Sequence, residues 1–161
     1  MVNPFILMKN LMLLVKKTSA TDLVCDITSL PYDSNEVDVI ESYHLIEHLP
    51  RHELPKVFQS WQKILKPNGS LIIECPDFDV CVKKYIEGDV SQLDGIFGLQ
   101  RYLGDYHYFG YNFERLSKLL ADCGFSNIEK KEAIDSHKVI LPCMRIECTN
   151  INQTVILNAY N

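Results

Sequence analysis

The sequence predicts an α/β fold whose sheet is mostly parallel and ends in an antiparallel hairpin. Short apolar runs typical of buried strands alternate with segments in which apolar residues recur at the helical period. A proline, asparagine and glycine turn signal at residues 66–69 separates the clearest helix from the strand that follows it. Two strand-like runs at residues 139–148 and 154–160, joined by a polar segment, predict the final hairpin.

In the first half of the chain, strands are expected at residues 11–15, 22–25 and 37–40. The third follows a polar turn at residues 33–35. Apolar residues near the start resemble the core of a signal peptide, but Lys9 interrupts them, and they fall short of the roughly 20 residues needed to span a bilayer. We therefore expect no membrane association.

Helices are predicted where apolar residues form one stripe or where caps are present. The clearest covers residues 54–65, and Lys66 to Gly69 ends it ahead of a strand at residues 71–75. Further helices are expected at residues 77–86, at 91–103 and, after a cap at Asn112, up to Gly124. The apolar stripe of the helix at 54–65 comprises Leu54, Val57, Phe58, Trp61, Ile64 and Leu65. That of the helix after Asn112 comprises Phe113, Leu116, Leu119, Leu120 and Cys123.

The composition fits one globular domain over residues 1–161. A net charge of −5 argues against a nucleic-acid binder, since such proteins carry a basic face. None of the six cysteines forms a C-x-x-C motif, so we interpret them as reduced residues of a cytoplasmic protein.

Four segments then form a block of motifs whose order and spacing are specific. They are D-I-T-S-L-P-Y at residues 26–32, V-D-V-I at 37–40, S-Y-H-L-I-E-H-L at 42–49 and I-L-K-P-N-G-S-L-I-I at 64–73. The block continues with P-D-F at 76–78, H-Y-F-G-Y-N-F-E at 107–114 and L-L-A-D-C-G-F at 119–125. This pattern resembles the class I, Rossmann-like S-adenosylmethionine-dependent methyltransferases, and the resemblance covers roughly residues 22–129.

The resemblance implies a cofactor site for S-adenosylmethionine. Asp26 would accept a hydrogen bond from the adenine amino group, which a carboxylate suits because it accepts and does not donate. Ile27 would lie against the adenine ring. Ser42 and Tyr43 would border the methionine portion, in the crevice where open α/β sheets bind ligands. Asp26 has an alternative interpretation as a turn residue ahead of Leu30 and Pro31.

The resemblance also implies residues close to a methyl acceptor, which we expect to be a small molecule or a sugar-like compound. His44, Glu47 and His107 are the candidates to remove the acceptor proton, and His48 would line the same surface. The transfer itself needs chiefly an acceptor held in line with the methyl group. His107 has an alternative interpretation as a loop histidine whose hydrogen bonds are satisfied.

The chain departs from the family on its N-terminal side. Family members begin with a strand and a glycine-rich loop, and then place an acidic residue where it holds the ribose hydroxyls. The first glycine here is Gly69, and Lys16 and Lys17 follow the strand expected at residues 11–15. The sequence therefore predicts a domain that lacks the first strand, loop and helix, and whose isolated chain lacks two of the main cofactor contacts.

The first strand of this fold lies in the middle of the sheet, so its loss predicts an open edge. Buried backbone groups without partners cost about 1–3 kcal/mol each, and an open edge pairs readily with another strand. The N-terminal segment or the strand expected at residues 154–160 would fill the gap, or another subunit would pair there. We expect a homo-oligomer or a complex with a partner subunit.

Two functional hypotheses follow from the resemblance and the departure. The first is a methyltransferase whose cofactor site is completed by a second subunit. The alternative is a catalytically inactive descendant that serves as a binding or assembly subunit, or a sequence that omits the front of a longer enzyme.

A third hypothesis, more remote, is a zinc hydrolase that uses His44, Glu47 and His48. The letters H-x-x-E-H spell an inverted zincin motif, in which two histidines one helical turn apart bind zinc. Pro50 and Pro55 interrupt a long helix there, and the methyltransferase pattern accounts for the same letters. We therefore expect no metal site.

Overall fold

A computed structural model describes residues 25–134 and 141–151 of the chain. These residues form an α/β fold around a four-stranded mixed sheet, in the order β1-β2-β4-β3. The strands are β1 (Val37–Tyr43), β2 (Leu65–Pro76), β3 (Phe125–Lys131) and β4 (Cys143–Asn150). The strands predicted at residues 11–15 and 154–160, and most of the one at 22–25, lie outside the described residues.

The sheet differs from the mostly parallel arrangement that the sequence predicted. β1 and β2 are parallel, whereas β4 lies between β2 and β3 and is antiparallel to both. The second strand of the predicted C-terminal hairpin, at residues 154–160, lies outside the described residues, and within them β4 forms its antiparallel pairs with β2 and β3. β3 was not predicted because it is an edge strand of the described sheet, and after the buried Phe125 its residues are mostly exposed and charged.

The helices follow their predictions closely, with one exception. They are α1 (Leu54–Ile64), α2 (Phe78–Ile86), α3 (Gln92–Phe97) and α4 (Phe113–Asp122). The helix predicted at residues 91–103 ends early, because Gly98 adopts a φ of 81°. A Cβ atom at this glycine would lie 2.7 Å from the carbonyl oxygen of Asp105, so the tight approach of this loop requires glycine.

One hydrophobic core joins the helices to the sheet. The predicted stripe of α1, including the fully buried Phe58 and Trp61, packs in the same cluster as Ile40, Leu71 and Ile146 of the sheet. Burial of such side chains removes apolar surface from water and supplies the main stabilisation of the fold. Among the described residues, no helix has the length and apolar character needed to cross a membrane.

The joint between α1 and β2 is unusually tight, because β2 begins at Leu65 directly after Ile64. The turn predicted at residues 66–69 is a bulge within the strand: the pairing register with β1 shifts here, and Asn68 has a φ of 63°. Asn150, at the end of β4, secures this joint. Its side-chain amide donates towards the carbonyl oxygens of Gln62, Leu65 and Lys66 at 3.1, 2.9 and 3.1 Å.

Asn150→Ala is expected to lower the free energy of unfolding by about 2–4 kcal/mol, because the carbonyl oxygens at this joint lose their donor. Urea denaturation of the full chain measures the change. Gln59→Ala, at an exposed position of α1, is the control and should shift stability by less than about 0.5 kcal/mol. A similarly small effect of Asn150→Ala would contradict the role given to this side chain.

Candidate active site at the carboxyl ends of two parallel strands

The candidate site lies where β1 and β2 end side by side. The backbone N–H of His44 donates to the carbonyl oxygen of Glu74 at 2.9 Å, which continues the β1–β2 pairing by one residue. His44 then takes a φ of 48°, in the left-handed region, and the chain enters a 3₁₀ turn at Ile46–His48. Non-glycine residues rarely adopt this conformation, and such residues are concentrated at functional sites.

At the start of this turn, His44 forms an ion pair with the buried carboxylate of Glu47. The Nδ1 atom of His44 lies 3.3 Å from Oε1 of Glu47, and only 3% of the Glu47 side chain is exposed. Contact of the ring with Cys143 Sγ, at 3.8 Å, and with the Glu47 carboxylate raises the pKa of His44 to about 10. At neutral pH His44 is therefore a cation, which balances the buried carboxylate.

A pair of histidine rings lies close to the Glu47 carboxylate. The rings of His48 and His107 meet edge to face with their centroids 4.9 Å apart. Each ring has its Nδ1 atom 3.0 Å from a backbone carbonyl oxygen, that of Tyr106 for His48 and that of Gly95 for His107. Burial lowers the pKa of His107, so its ring is neutral near pH 7.

The three predicted acceptor-side residues thus occupy one region, although they do not share one network. His44 and Glu47 are paired directly, and His107 joins Glu47 and His48 in a group whose possible ligand atoms all lie within 4.8 Å of one another. The hydrogen bond to Gly95 satisfies Nδ1 of His107, which fits the interpretation of this residue as a loop histidine. This hydrogen bond does not involve Nε2.

Two of the predicted cofactor residues, Ser42 and Tyr43, lie at the carboxyl end of β1. Ser42 is buried, and its hydroxyl has no hydrogen-bond partner within the described part of the chain. The hydroxyl of Tyr43 accepts a hydrogen bond of 3.4 Å from Nη1 of Arg145 on β4. An unsatisfied buried hydroxyl is uncommon in proteins, which makes Ser42 a candidate for contact with a ligand.

Asp26 and Ile27 lie in the turn that precedes Leu30. Oδ1 of Asp26 accepts from the backbone N–H of Thr28 at 2.9 Å and from its hydroxyl at 2.8 Å. Asp26 therefore has the hydrogen bonds of a turn residue, whatever else it contacts. Ile27 is buried in the hydrophobic core with 3% of its surface exposed, so its side chain packs against protein.

Three site residues were not identified from the sequence. Glu74 and Arg145 are buried on neighbouring strands, where Nη1 of Arg145 lies 4.0 Å from Oε2 of Glu74. Tyr111 is buried with an unpartnered hydroxyl among the described residues, and its burial raises its pKa to about 12. The signal for Glu74 was a charged residue within an apolar strand; Arg145 and Tyr111 became visible only when the strands and loops came together.

The helix that an inverted zincin motif requires does not form at residues 44–48. His44 is in the left-handed conformation and lies outside the three-residue turn that contains His48. The two histidines fall into separate groups of possible metal ligands, His44 with Glu74 and Cys143, and His48 with Glu47 and His107. The ligand set of the zinc-hydrolase alternative is therefore not assembled.

Glu47→Gln should lower the pKa of His44 from about 10 towards its ordinary value of 6.5, because the carboxylate that favours the charged ring is lost. The raised pKa stabilises the folded state fully below about pH 6.5, and this contribution disappears as pH rises through about 10. The loss of stability in the variant should therefore be largest in acid and shrink over that interval.

Histidine ring NMR in chelator-treated buffer, with urea denaturation at each pH, measures both effects. Glu53→Gln is the control, since Glu53 approaches His52 and not His44. A His44 ring that loses its proton below pH 8 in the native chain would contradict the ion pair.

The chain is similar in sequence to known methyltransferases. A family described as a methyltransferase domain matches residues 8–73. Phosphoethanolamine N-methyltransferase of Plasmodium falciparum (isolate 3D7) is 28% identical over 110 residues, which is 68% of this chain and 37% of that protein. The chain thus spans little more than a third of the length of this curated relative.

Solved structures show the same fold at low sequence identity. A methyltransferase of Methanosarcina mazei aligns with a TM-score of 0.58 and 15% identity, over 80% of this chain and 66% of that one. The 1,6-didemethyltoxoflavin N1-methyltransferase of Burkholderia thailandensis, with bound S-adenosylhomocysteine, aligns with a TM-score of 0.57 and 14% identity, over 81% and 50%. The family match over residues 8–73 and the shared fold make this chain similar to S-adenosylmethionine-dependent methyltransferases.

Proposed function

We propose that this protein takes part in the transfer of a methyl group from S-adenosylmethionine to a small-molecule acceptor, and that a second subunit completes its cofactor site. The observation that carries the proposal is the position of Ser42, Tyr43 and the His44–Glu47 pair. All lie at the carboxyl ends of parallel strands, where α/β sheets bind ligands. They do so in a chain whose residues 8–73 match a methyltransferase-domain family.

The residues that border the cofactor side fit a ligand in part. The buried, unsatisfied hydroxyl of Ser42 offers a hydrogen bond, and Arg145 holds the ring of Tyr43 in place. S-adenosylmethionine, when bound, supplies an electrophilic methyl group. Asp26 would contribute one acceptor for the adenine amino group, in addition to its turn contacts with Thr28.

On the acceptor side, the charges of the site assign different roles to the histidines. His44 is protonated at neutral pH and therefore does not suit removal of the acceptor proton; its two ring nitrogens face Glu47 and Cys143, so its role is to hold the Glu47 carboxylate. His107 is neutral, and its Nδ1 faces a carbonyl oxygen, so Nε2 is the atom available to accept a proton. The Glu47 carboxylate stabilises positive charge on the rings of His44 and His107.

The small-molecule acceptor is supported by the proteins that this chain resembles. The curated relative is a phosphoethanolamine N-methyltransferase, and a similar structure contains bound 1,6-didemethyltoxoflavin. The acidic net charge of −5 agrees with such an acceptor better than with a nucleic acid.

The second subunit is supported by the edge of the sheet. Within the described residues β1 pairs with β2 alone, so its outer edge presents backbone groups to a further strand. No glycine precedes Gly69, so residues 1–68 do not supply a glycine-rich loop. A structure of similar fold, with a TM-score of 0.57 and 15% identity over 83% of this chain and 65% of that one, is a Haloferax volcanii methyltransferase in complex with the activator Trm112.

An inactive binding subunit is the second candidate function. The contacts between Asp26 and Thr28 favour it, because they give this carboxylate a structural role that needs no adenine. The burial of Ile27 in the core points the same way.

We expect the purified full chain to bind S-adenosylhomocysteine in calorimetric titration. Asp26→Asn should weaken binding by about tenfold, since the amide can still accept from Thr28 but replaces one carboxylate acceptor with a donor. Thr28→Val is the matched control: it disturbs the turn without changing the carboxylate, so it should weaken binding less than Asp26→Asn.

Sedimentation in the same buffer tests the second subunit. A dimer or larger assembly that binds S-adenosylhomocysteine would support the whole proposal. A monomer that binds it would contradict the second-subunit part, and an absence of binding at millimolar ligand would favour the inactive alternative.

A further inference from the structure

Glu47 of the His44–Glu47 pair and two neighbouring histidines are arranged as ligands. Glu47, His48 and His107 each place one possible ligand atom within 4.8 Å of the others. We propose that these three residues bind a divalent first-row transition-metal ion such as Zn²⁺. Two imidazoles and one carboxylate suit zinc, and a site with three protein ligands leaves a position open for water or substrate.

The hydrogen bonds of the two histidines favour this role. Each Nδ1 atom lies 3.0 Å from a backbone carbonyl oxygen, and a carbonyl can only accept, so in the neutral ring Nδ1 carries the proton. The lone pair of each ring is then on Nε2. Donation from the distal nitrogen to a carbonyl is the usual way in which a protein fixes the tautomer and orientation of a metal-binding histidine.

Glu47 supplies the second, independent observation. The residue is 2% exposed, and neither oxygen of its carboxylate makes a hydrogen bond of ordinary geometry with the described residues. The ion pair with His44 involves one oxygen, Oε1. A buried carboxylate usually has its oxygens satisfied by several donors or by a metal ion, so the group has capacity for a cation.

The backbone holds the three ligands in place before any ion binds. Glu47 and His48 are consecutive in the 3₁₀ turn, and the carbonyl oxygen of Glu47 accepts from the N–H of Tyr108 at 2.8 Å. The contact between His48 and Tyr106 joins the same two segments. His107 lies between these two attachment points. The ligand atoms are at most 4.8 Å apart, so binding an ion at about 2.0–2.2 Å from each requires at most modest movement of the side chains.

The neighbouring group, made of His44, Glu74 and Cys143, is the weaker candidate. Glu74 already accepts from the N–H of Ile134 at 3.0 Å and faces Arg145. Cys143 Sγ contacts both His44 and the carbonyl oxygen of Leu141. These partners occupy the atoms that an ion would need.

The proposal that this ion binds does not depend on catalysis. A further step does rest on the proposed function: with Nε2 of His107 bound to the ion, His107 would no longer accept the acceptor proton, and the open position of the ion would instead hold an oxygen or nitrogen of the methyl acceptor and lower the pKa of that group. The same ion would connect His48, which the methyltransferase resemblance expected only to line this surface, to the acceptor side of the site.

Titration of the chelator-treated full chain with Co²⁺ and Zn²⁺ tests the site. We expect one equivalent to bind, with cobalt absorption bands typical of nitrogen and oxygen ligands and without a thiolate charge-transfer band. His107→Gln and Glu47→Gln should each weaken binding by more than about tenfold, as expected for loss of a ligand. His52→Ala, at an exposed histidine, and Cys143→Ser should leave affinity unchanged.

Circular dichroism of each variant verifies that it is folded. A thiolate band that Cys143→Ser removes, or binding that survives both His107→Gln and Glu47→Gln, would overturn the assignment, as would no stoichiometric binding. Metal titration without cofactor keeps this test separate from the proposed function. Metal binding by a chain that fails to bind S-adenosylhomocysteine would support the metal site and contradict only the proposed function, and the opposite result would do the reverse.

Discussion

The hydrogen bond from the N–H of His44 to the carbonyl oxygen of Glu74 is the contact on which the rest of the site depends. It extends the parallel pairing of β1 and β2 to the last point at which both backbones are extended. Beyond it, His44 turns into the left-handed region and directs the chain across the end of the sheet. Glu47 and His48 take their positions from this change of direction, and the N–H of Tyr108, which donates to the carbonyl oxygen of Glu47, holds His107 beside them.

The turn also explains why so much charge is buried in so small a region. Glu47 carries a carboxylate into a position with 2% exposure, next to the hydrophobic core that contains Ile46. Removing a carboxylate from water is unfavourable unless opposite charge is close, and the cationic ring of His44 supplies that charge at 3.3 Å. An arrangement that is costly for folding and assembles several titratable groups is characteristic of functional sites.

Much of the architecture was accessible from the sequence because it follows from local patterns. The apolar stripe of α1 and the capping Asn112 of α4 each specify their element without long-range information. The place of β4 between β2 and β3 was not accessible, since strand order depends on pairing between distant residues. β3 itself escaped prediction because an edge strand buries little.

The candidate site, like the fold, was predictable from the sequence only in part. His44, Glu47 and His107 were found because they occur in motifs, and the structure brings them to one end of the sheet. Their different protonation was not predictable, since it arises from Cys143 and from burial in loops far along the chain. The turn contacts of Asp26 and the unsatisfied hydroxyl of Ser42 likewise required coordinates.

We place the ligand site of this methyltransferase-like chain at the carboxyl ends of β1 and β2. Hydrogen–deuterium exchange of the full chain, with and without S-adenosylhomocysteine, tests this most directly because it reports where the ligand acts. We expect bound S-adenosylhomocysteine to slow exchange in residues 42–48, where Ser42, Tyr43 and the following turn lie. Unchanged exchange in this segment, with protection confined to other parts of the chain, would contradict it.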